Sequence, residues 1–171
     1  RVQRKEMVCN PNFYEINEIV EEVAEIILMM AQEKGIQFKI VQTEKCKAYC
    51  DQNMVMFIIR NILTNAIKYS PEKSCITIRL NKLEKFAEVE IADEGYGISP
   101  EMLDKILNQR VSISTPGTNK EKGSGLGLLL TLHFIEMQRG KFNIKSVPGK
   151  GTSFSFQLPN FEKEISKTIN V

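Results

Sequence analysis

The sequence predicts a single α/β domain, a sandwich in which a largely antiparallel sheet carries helices on one face. The 171 residues are 42% hydrophobic and 26% charged, a composition typical of one globular domain with one core. Apolar residues recur at helical spacing in some segments and alternate in others. The alternating segments come as neighbouring pairs rather than singly between helices, which favours hairpins over a parallel sheet.

The N-terminal part of the chain contains a long predicted helix and two short strands. At residues 13–34 the apolar side chains recur with helical period, and Gly35 follows as a helix stop. Alternating apolar residues then predict a strand at 38–41, and a second short strand is predicted at 48–50.

A second helix and a hairpin follow. Asp51 is a candidate N-cap for this helix, because its short acidic side chain can accept a hydrogen bond from the first turn. The helix runs to Tyr69, since Pro71 disfavours helical backbone at the residue before it. The alternating runs 76–80 and 87–91 then predict two antiparallel strands joined by a short turn.

Two further helices are flanked by glycine-rich segments. A glycine turn at 93–97 precedes a helix at 100–108, which begins with proline at its first position. Residues 109–124 are rich in Ser, Thr, Gly, Asn and Lys and predict a long loop, a feature that is usually functional or disordered. The next helix is predicted at 125–137.

The last pair of strands and the chain ends complete the predicted domain. Alternating runs at 142–146 and 154–158 flank a proline- and glycine-containing turn. Residues 160–171 are polar and predict a poorly ordered C-terminal tail. We therefore expect one domain over residues 13–159, preceded by a linker at 1–12.

Charge, cysteine usage and hydropathy exclude several classes of protein. With 23 basic and 21 acidic residues, the net charge of +2 gives no basic footprint for nucleic acid. Four cysteines without a C-x-x-C pair, beside one histidine, do not fit a structural zinc site and favour reduced thiols. No run approaches the roughly 20 apolar residues that span a bilayer. The sequence predicts a cytoplasmic domain and leaves open whether a longer parent protein is membrane-anchored.

The second predicted helix carries the first candidate site. Asn61, Asn65 and Lys68 share one helical face at spacings of four and three residues. Buried asparagine is costly without partners, so a ligand could supply them: an amide oxygen suits a hard cation and the lysine suits phosphate. The alternative is an ordinary solvated polar face.

The turn after the hairpin carries the second candidate site. Asp93 is a hydrogen-bond acceptor at neutral pH, and an exocyclic amine such as that of adenine is a suitable donor. Gly95 and Gly97 would let the backbone approach a flat ligand closely. The alternative is a plain turn, in which aspartate and glycine are common.

Two more glycine clusters follow along the chain. Gly123, Gly125 and Gly127 lead directly into a helix, whose N-terminus presents N–H groups and partial positive charge to phosphate. This cluster is neither a dinucleotide-binding fingerprint nor a Walker A motif, because the required third glycine and the Gly-Lys-Ser/Thr sequence are absent. The cluster at 149–152, which ends in Thr152, is by itself a hairpin turn.

Taken together and in order, these segments resemble the ATP-binding domains of sensor histidine kinases. They are similar to the N box, the G1 box, the G2 box and the last glycine box of that family: NILTNAIKYS at 61–70, DEGYGI at 93–98, GSGLGL at 123–128 and GKGT at 149–152. The resemblance covers residues 13–159. It implies the Bergerat fold, which gyrase, Hsp90 and MutL-type ATPases share.

The resemblance also implies a role for each position around magnesium and the phosphates of ATP. Asn65 would coordinate Mg²⁺, with Asn61 assisting, and Lys68 and Tyr69 would contact phosphate. The glycines of the G2 box would close over the phosphates together with neighbouring residues of the same segment: Lys122, Gly123, Gly125, Leu126, Gly127 and Leu128. Residues 109–124 would form the ATP lid.

On the adenine side, the resemblance assigns the binding of the base to the turn after the hairpin. Asp93 would bind the adenine amine. Gly95, Gly97 and Ile98 would lie beside the base, and Thr152 would support Asp93 through water. Bound Mg·ATP would then donate its γ-phosphoryl group to a histidine on a separate helical dimerisation domain of the same parent protein, upstream of residues 1–12. A response regulator receiver domain would be the downstream partner.

Two features bear on the kind of activity. Asn61 stands where the hydrolytic ATPases carry a glutamate that activates water, so rapid hydrolysis is not expected. The chain has Ile106 and Leu107 where the family often has the phenylalanine of the F box, and His133 lacks the acidic neighbour of a phosphoacceptor. The alternatives are therefore a nucleotide-binding regulatory module without transfer activity and a hydrolytic relative. No nucleic acid and no direct membrane contact are expected.

Overall fold

A computed structural model describes residues 8–42, 44–109, 116–119 and 125–161 of the chain. Within these residues lie four helices and seven strands, in the order β1 Asn12–Glu15, α1 Ile16–Glu33, β2 Gln37–Gln42, β3 Lys47–Cys50, α2 Gln52–Tyr69, β4 Cys75–Lys82, β5 Phe86–Ala92, α3 Pro100–Leu107, α4 Leu126–Met137, β6 Lys141–Val147 and β7 Gly151–Pro159. The predicted tail at 160–171 lies outside them beyond Phe161.

The main sheet has five strands in the order β2-β4-β5-β7-β6. The pairs β4–β5 and β6–β7 are antiparallel, as predicted for hairpins. The pair β5–β7 is also antiparallel, whereas β2 pairs with β4 in parallel. The sheet is therefore mixed and mostly antiparallel. This arrangement places the ends of β5, β6 and β7 side by side, where the turn after β5 meets the turn between β6 and β7.

The core lies between this sheet and the helices, which confirms the predicted sandwich. Alternate residues of the central strands are buried, among them Ile76, Ile78, Val89, Ile91 and Phe156. The helix α2 buries one apolar stripe against the same core: Met54, Val55, Ile58, Ile59, Ile62, Leu63, Ala66 and Ile67. Each large side chain that is fully removed from water contributes about 1.5–3 kcal/mol, which fixes the orientation of α2 and of its polar face.

The predicted start of the first helix, at residue 13, was wrong. Residues 12–15 form β1, which pairs antiparallel with β3, and α1 begins only at Ile16. The side chain of Asn17 stabilises this junction, because its Oδ1 accepts the Cys46 N–H at 2.7 Å. The partner strand lies more than 30 residues away, so local periodicity gave no sign of the pairing.

The two strands predicted at 38–41 and 48–50 are both present, and they belong to different sheets. The strand β2 lies at the edge of the main sheet, parallel to β4, while β3 belongs to the two-stranded sheet with β1. The residues between β2 and β3 therefore connect two different sheets and do not form a hairpin turn. Among the described residues no helix is both long enough and apolar enough to cross a membrane.

Candidate functional site

The helix α2 begins at a cap that the sequence predicted. The Asp51 carboxylate accepts the Met54 N–H through Oδ1 at 3.1 Å and the Asn10 N–H through Oδ2 at 2.9 Å. It thereby satisfies one of the unpaired N–H groups of the first helical turn. The backbone N–H of Asp51 itself donates to the side chain of Gln138 at 2.7 Å, which ties the start of α2 to the end of α4.

Asn61 lies where α2 meets the N-terminal turns of α4. Its Nδ2 donates to the Thr131 hydroxyl at 2.8 Å, and a Cβ built on Gly127 would overlap its Oδ1. Gly127 therefore leaves room for the Asn61 amide, which a larger residue at this position would force to move. The structure thus brings together two of the predicted site residues, separated by 66 positions in the chain.

Asn65 lies one turn further along α2 and is half-buried. No described residue hydrogen-bonds to its side-chain amide, which is not among the fully buried polar atoms and is therefore open to a ligand or to water. An amide oxygen in this state fits a hard cation such as Mg²⁺, which takes few protein ligands and keeps most of its waters. Among the described residues no group of three or more His, Cys, Asp or Glu could hold a metal ion.

Lys68 and Tyr69 form a pair at the end of the same helix. The Lys68 ammonium lies 4.8 Å from the centre of the Tyr69 ring and donates to the Tyr69 hydroxyl at 3.1 Å. Both side chains are half-buried, and the pair holds one positive charge close to Asn65. A positive charge at this position is suited to attract an anion such as phosphate.

The turn after β5 packs directly on the carbonyl end of α2. The Tyr96 N–H donates to the Tyr69 carbonyl at 3.2 Å, and a Cβ on Gly95 would overlap that same carbonyl oxygen. Glycine is needed here because the two backbones touch. Asp93, two residues before Gly95, therefore lies beside the helix end that carries Asn65, so the two predicted halves of the site lie on the same side of the molecule.

The Asp93 carboxylate is oriented by backbone N–H groups. Its Oδ1 accepts the Gly95 N–H at 2.8 Å and the Thr152 N–H at 3.1 Å. Oδ2 accepts no hydrogen bond from any described residue and is the atom that a ligand can reach. Burial raises the pKa of Asp93 above its ordinary value, while the Gly95 and Thr152 N–H groups act in the opposite direction.

The turn between β6 and β7 supports Asp93 and the glycine turn from the other side. Thr152 reaches Asp93 through its backbone, since it also accepts the Asp93 N–H at 2.9 Å. Its hydroxyl lies 2.8 Å from that of Ser146, which also accepts the Ile98 N–H at 2.8 Å. Thr152 therefore supports Asp93 directly through its backbone, and support through water stays a prediction.

Gly97 and Gly151 allow these turns to interlock. Gly97 has a φ of +71°, and a Cβ on it would overlap the Val147 carbonyl. A Cβ on Gly151, whose φ is +98°, would overlap the carbonyl of Asp93. The last glycine cluster is therefore part of the site rather than an isolated hairpin turn.

The described part of the G2 box forms the start of α4. Gly125 precedes the helix with a φ of +72°, and the exposed Leu126 and half-buried Leu128 follow. The N-terminal N–H groups of α4 carry partial positive charge beside Asn61. Lys122, Gly123 and most of the predicted lid at 109–124 lie outside the described residues, which include only 109 and 116–119 of it.

Two residues of this site were missed from the sequence. Thr131 orients Asn61 and is fully buried in α4, and Ser146 joins the turn after β5 to the turn after β6. Thr131 stands four residues after Gly127 on the same helix, so helical spacing could have identified it. Ser146 gives no such sign, since a serine at a strand end is common.

Comparison with known proteins identifies what this arrangement is similar to. A family model described as histidine kinase-, DNA gyrase B- and HSP90-like ATPase matches residues 50–162. The chain is 34% identical over 151 residues to the sensor protein DegM of Bacillus sp. (strain B21-2), covering 88% of this chain and 39% of DegM. It is 33% identical over 116 residues to the sensor histidine kinase WalK of Bacillus subtilis (strain 168), covering 67% of this chain and 19% of WalK. The chain thus spans less than half the length of these relatives.

Solved structures share the fold. The catalytic domain of histidine kinase ThkA superposes with a TM-score of 0.76 at 24% identity, over 88% of this chain and 96% of that one. The mycobacterial sensor histidine kinase MprB gives a TM-score of 0.73 at 22% identity, over 88% and 97% of the two chains. At this identity the similarity concerns the architecture.

Proposed function

The chain belongs to the family of histidine kinase-, DNA gyrase B- and HSP90-like ATPases, as an ATP-binding catalytic domain of the sensor histidine kinase type, and from this premise we propose that it binds Mg·ATP and donates the γ-phosphoryl group to a histidine. The acceptor would lie on a dimerisation domain of the same parent protein, joined through residues 1–12. A response regulator receiver domain would then take the phosphoryl group, and the domain would act in the cytoplasm, where ATP is available.

One observation supports this proposal above the others. Asp93 presents a single unsatisfied carboxylate oxygen, Oδ2, while its other oxygen is fixed by two backbone N–H groups. A carboxylate oriented in this way accepts a hydrogen bond from one donor, and the 6-amino group of adenine is such a donor. The adjacent glycines provide the close backbone approach that a flat base requires.

The residues of α2 and α4 fit the phosphate end of the same ligand. Mg²⁺, when bound, would neutralise phosphate charge, and Asn65 is the residue whose amide oxygen is available to hold it. Lys68 adds a positive charge, and the N-terminus of α4 adds oriented N–H groups beside Asn61. Phosphoryl transfer needs mainly such positioning and charge stabilisation. An imidazole nitrogen of the acceptor histidine would form the new bond to the γ-phosphorus. The bond between the γ-phosphorus and the oxygen bridging it to the β-phosphate would break, and ADP would leave.

Asn61 favours transfer over hydrolysis. Its Nδ2 donates to Thr131, so the amide is held in place, and an amide cannot remove a proton from water as a carboxylate does. The hydrolytic relative therefore remains the weaker alternative. The second alternative, a regulatory module that binds nucleotide without transfer, is favoured only by Ile106 and Leu107 in place of the F-box phenylalanine.

The test separates nucleotide binding from transfer. Calorimetry of the 171-residue chain with ATP, with and without Mg²⁺, should give a Kd between about 1 µM and 1 mM that depends on Mg²⁺. The Asn65→Asp variant should bind far more weakly while its thermal unfolding is unchanged. Radiolabelled ATP mixed with the chain and a cognate histidine domain should yield acid-labile phosphohistidine.

Each alternative has its own outcome in these experiments. Tight ATP binding without any phosphohistidine would favour the regulatory module. Rapid release of inorganic phosphate by the chain alone would favour the hydrolytic relative. Unchanged, Mg²⁺-dependent ATP binding by the Asn65→Asp variant would remove Asn65 from the magnesium site.

A further inference from the structure

The carbonyl end of α2 is a junction of three distant segments. The last carbonyls of a helix have no partner within the helix and must be satisfied from outside. In α2 the Tyr69 carbonyl is met by Tyr96, as described above. The Ile67 and Lys68 carbonyls are met by Lys34, whose Nζ donates at 2.9 and 3.3 Å. The Lys68 carbonyl also accepts the backbone N–H of Thr118 at 3.0 Å.

Lys34 is buried, with 7% of its surface exposed, although it carries a full charge. Burying an ammonium group is costly unless several acceptors surround it. Here the acceptors are carbonyl oxygens at the negative end of the α2 macrodipole, where a cation is favoured. The backbone of Lys34 is fixed as well, since its carbonyl accepts the Lys73 N–H at 3.0 Å. Lys34 is therefore fixed both at its backbone and at its ammonium group.

Thr118 connects this junction to the chain that leads to α4. Its hydroxyl accepts a short hydrogen bond from the Lys34 ammonium and lies 3.2 and 3.1 Å from the Lys68 and Ser70 carbonyls. Gly117, next to it, is buried. Only five residues, 120–124, separate the described segment 116–119 from Gly125. The contacts of Thr118 therefore hold segment 116–119 against the last turn of α2.

We propose that Lys34 is a positioning residue for ATP: it fastens segment 116–119 to the carbonyl end of α2 and thereby keeps this segment beside the helix end that carries Asn65 and Lys68. This role rests on the proposed ATP-binding function. Lys34 lies at the end of α1, far in sequence from every motif of the site, and it need not touch the nucleotide. Its contribution is to the fraction of molecules in which segment 116–119 is seated.

The size of the effect follows from that fraction. When only a fraction of the molecules is competent to bind, the measured Kd rises by the inverse of that fraction. Losing a charged donor and several of its hydrogen bonds should reduce seating to about one molecule in ten, so ATP binding should weaken about tenfold. Removing only the Thr118 hydroxyl should weaken it less, by about threefold.

The experiment is a double-mutant cycle on the 171-residue chain. Lys34→Met keeps the aliphatic stem and removes the ammonium, and Thr118→Val keeps the shape and removes the hydroxyl. Lys39→Met, at an exposed lysine of β2, is the matched control and should bind ATP as the wild type does. Calorimetry gives the Kd for Mg·ATP, and amide hydrogen exchange reports the seating of segment 116–119 in the absence of nucleotide.

The double variant decides between positioning and a general structural role. If Lys34 acts through Thr118, the second substitution adds no further loss of affinity in the Lys34→Met background, and the backbone amide at position 118 exchanges faster in both single variants. Fully additive losses, or wild-type affinity in a folded Lys34→Met variant, overturn the proposal. If Lys34→Met does not fold, Thr118→Val decides alone: faster exchange with weaker binding supports the proposal, and unchanged ATP affinity overturns it.

The wild-type chain separates this proposal from the proposed function. If the wild type binds Mg·ATP and the variants bind equally well, only the role of Lys34 is refuted. If the wild type binds no ATP, the proposed function itself fails, and the exchange data then show only whether Lys34 seats Thr118.

Discussion

Replacing Asp93 by asparagine changes one atom of the site and tests the adenine assignment directly. In the structure Oδ1 accepts the Gly95 and Thr152 N–H groups, and an asparagine oxygen can keep both hydrogen bonds. An amide nitrogen with two N–H donors then takes the place of Oδ2. The fold should therefore be retained, while the atom that faces the ligand changes from acceptor to donor.

The expected loss can be estimated from that exchange. A hydrogen bond to a charged group contributes about 1.5–3 kcal/mol, which corresponds to a loss of ATP affinity of about 10- to 150-fold. The upper end of this range is expected, because the new N–H groups oppose the amino group of adenine. A 6-oxo purine offers an acceptor at the same place. The Asp93→Asn variant should therefore bind inosine triphosphate more tightly than ATP, the reverse of the wild type.

The assay is calorimetry with both nucleotides in the presence of Mg²⁺. Glu94→Gln is the matched control: Glu94 is the adjacent exposed carboxylate, its Oε2 accepts the Cys75 N–H at 3.0 Å, and glutamine can keep that hydrogen bond. The control should retain the wild-type preference for ATP. Unaltered ATP affinity in Asp93→Asn, or an unaltered preference between the two nucleotides, would refute the assignment of Asp93 to the adenine amine.

The raised pKa of Asp93 gives this prediction a pH dependence. Because burial raises the pKa above the ordinary 3.8, the folded protein holds this proton more tightly than the unfolded chain does. This tighter proton binding contributes to the free energy of unfolding at pH values below the ordinary pKa. The contribution is lost as the pH rises through the raised pKa of the folded protein. Protonation has the opposite effect on nucleotide binding. A proton on Oδ2 removes the acceptor for the adenine amine and so weakens the binding of ATP. The wild-type preference for ATP should decline on acidification at a higher pH than an unperturbed aspartate would produce, and Asp93→Asn should show no such decline.

Two further substitutions test the glycine contact and the start of α2. Gly127→Ala places a Cβ on Asn61 Oδ1, so we expect a loss of stability of about 1–3 kcal/mol in thermal unfolding and about tenfold weaker ATP binding. Gly149→Ala meets no atom within 4 Å and should cost stability through its φ of +76° alone, so equal ATP losses in both variants would contradict the contact. Asp51→Ala removes the acceptor for Met54 and should lower Tm by about 2–8 °C, whereas Asp51→Asn should lower it less. An equal drop in both Asp51 variants would contradict the capping role.

Local features of the chain can be predicted from the sequence because they depend on interactions between neighbouring residues. The cap at Asp51, the proline at the first position of α3 and the buried stripe of α2 each arise from contacts within a few residues. The alternation in the strands likewise follows from the side chains that face the core. These features place Asn61 and Asn65 on one helical face without knowledge of the rest of the fold.

The neighbourhood of the site required the tertiary structure. The overlap of Gly127 with Asn61, the contact of Gly95 with Tyr69 and the backbone support of Asp93 by Thr152 join residues that are 26 to 66 positions apart. The buried ammonium of Lys34 is a similar case, since nothing in its surrounding sequence indicates that it meets the end of α2. Only the packing of α1, α2 and the segment 116–119 brings these groups together.

The sequence by itself determined the order of the helices and most strands, the core faces and the chemical types of the site residues, because periodicity and capping are written in neighbouring positions. The tertiary structure decided that β1 pairs with β3, that β2 lies parallel to β4, and which atoms of the site are already satisfied. The physical reason is that pairing and close approach depend on residues far apart in the chain. Such contacts produce no periodic pattern in the sequence around either residue.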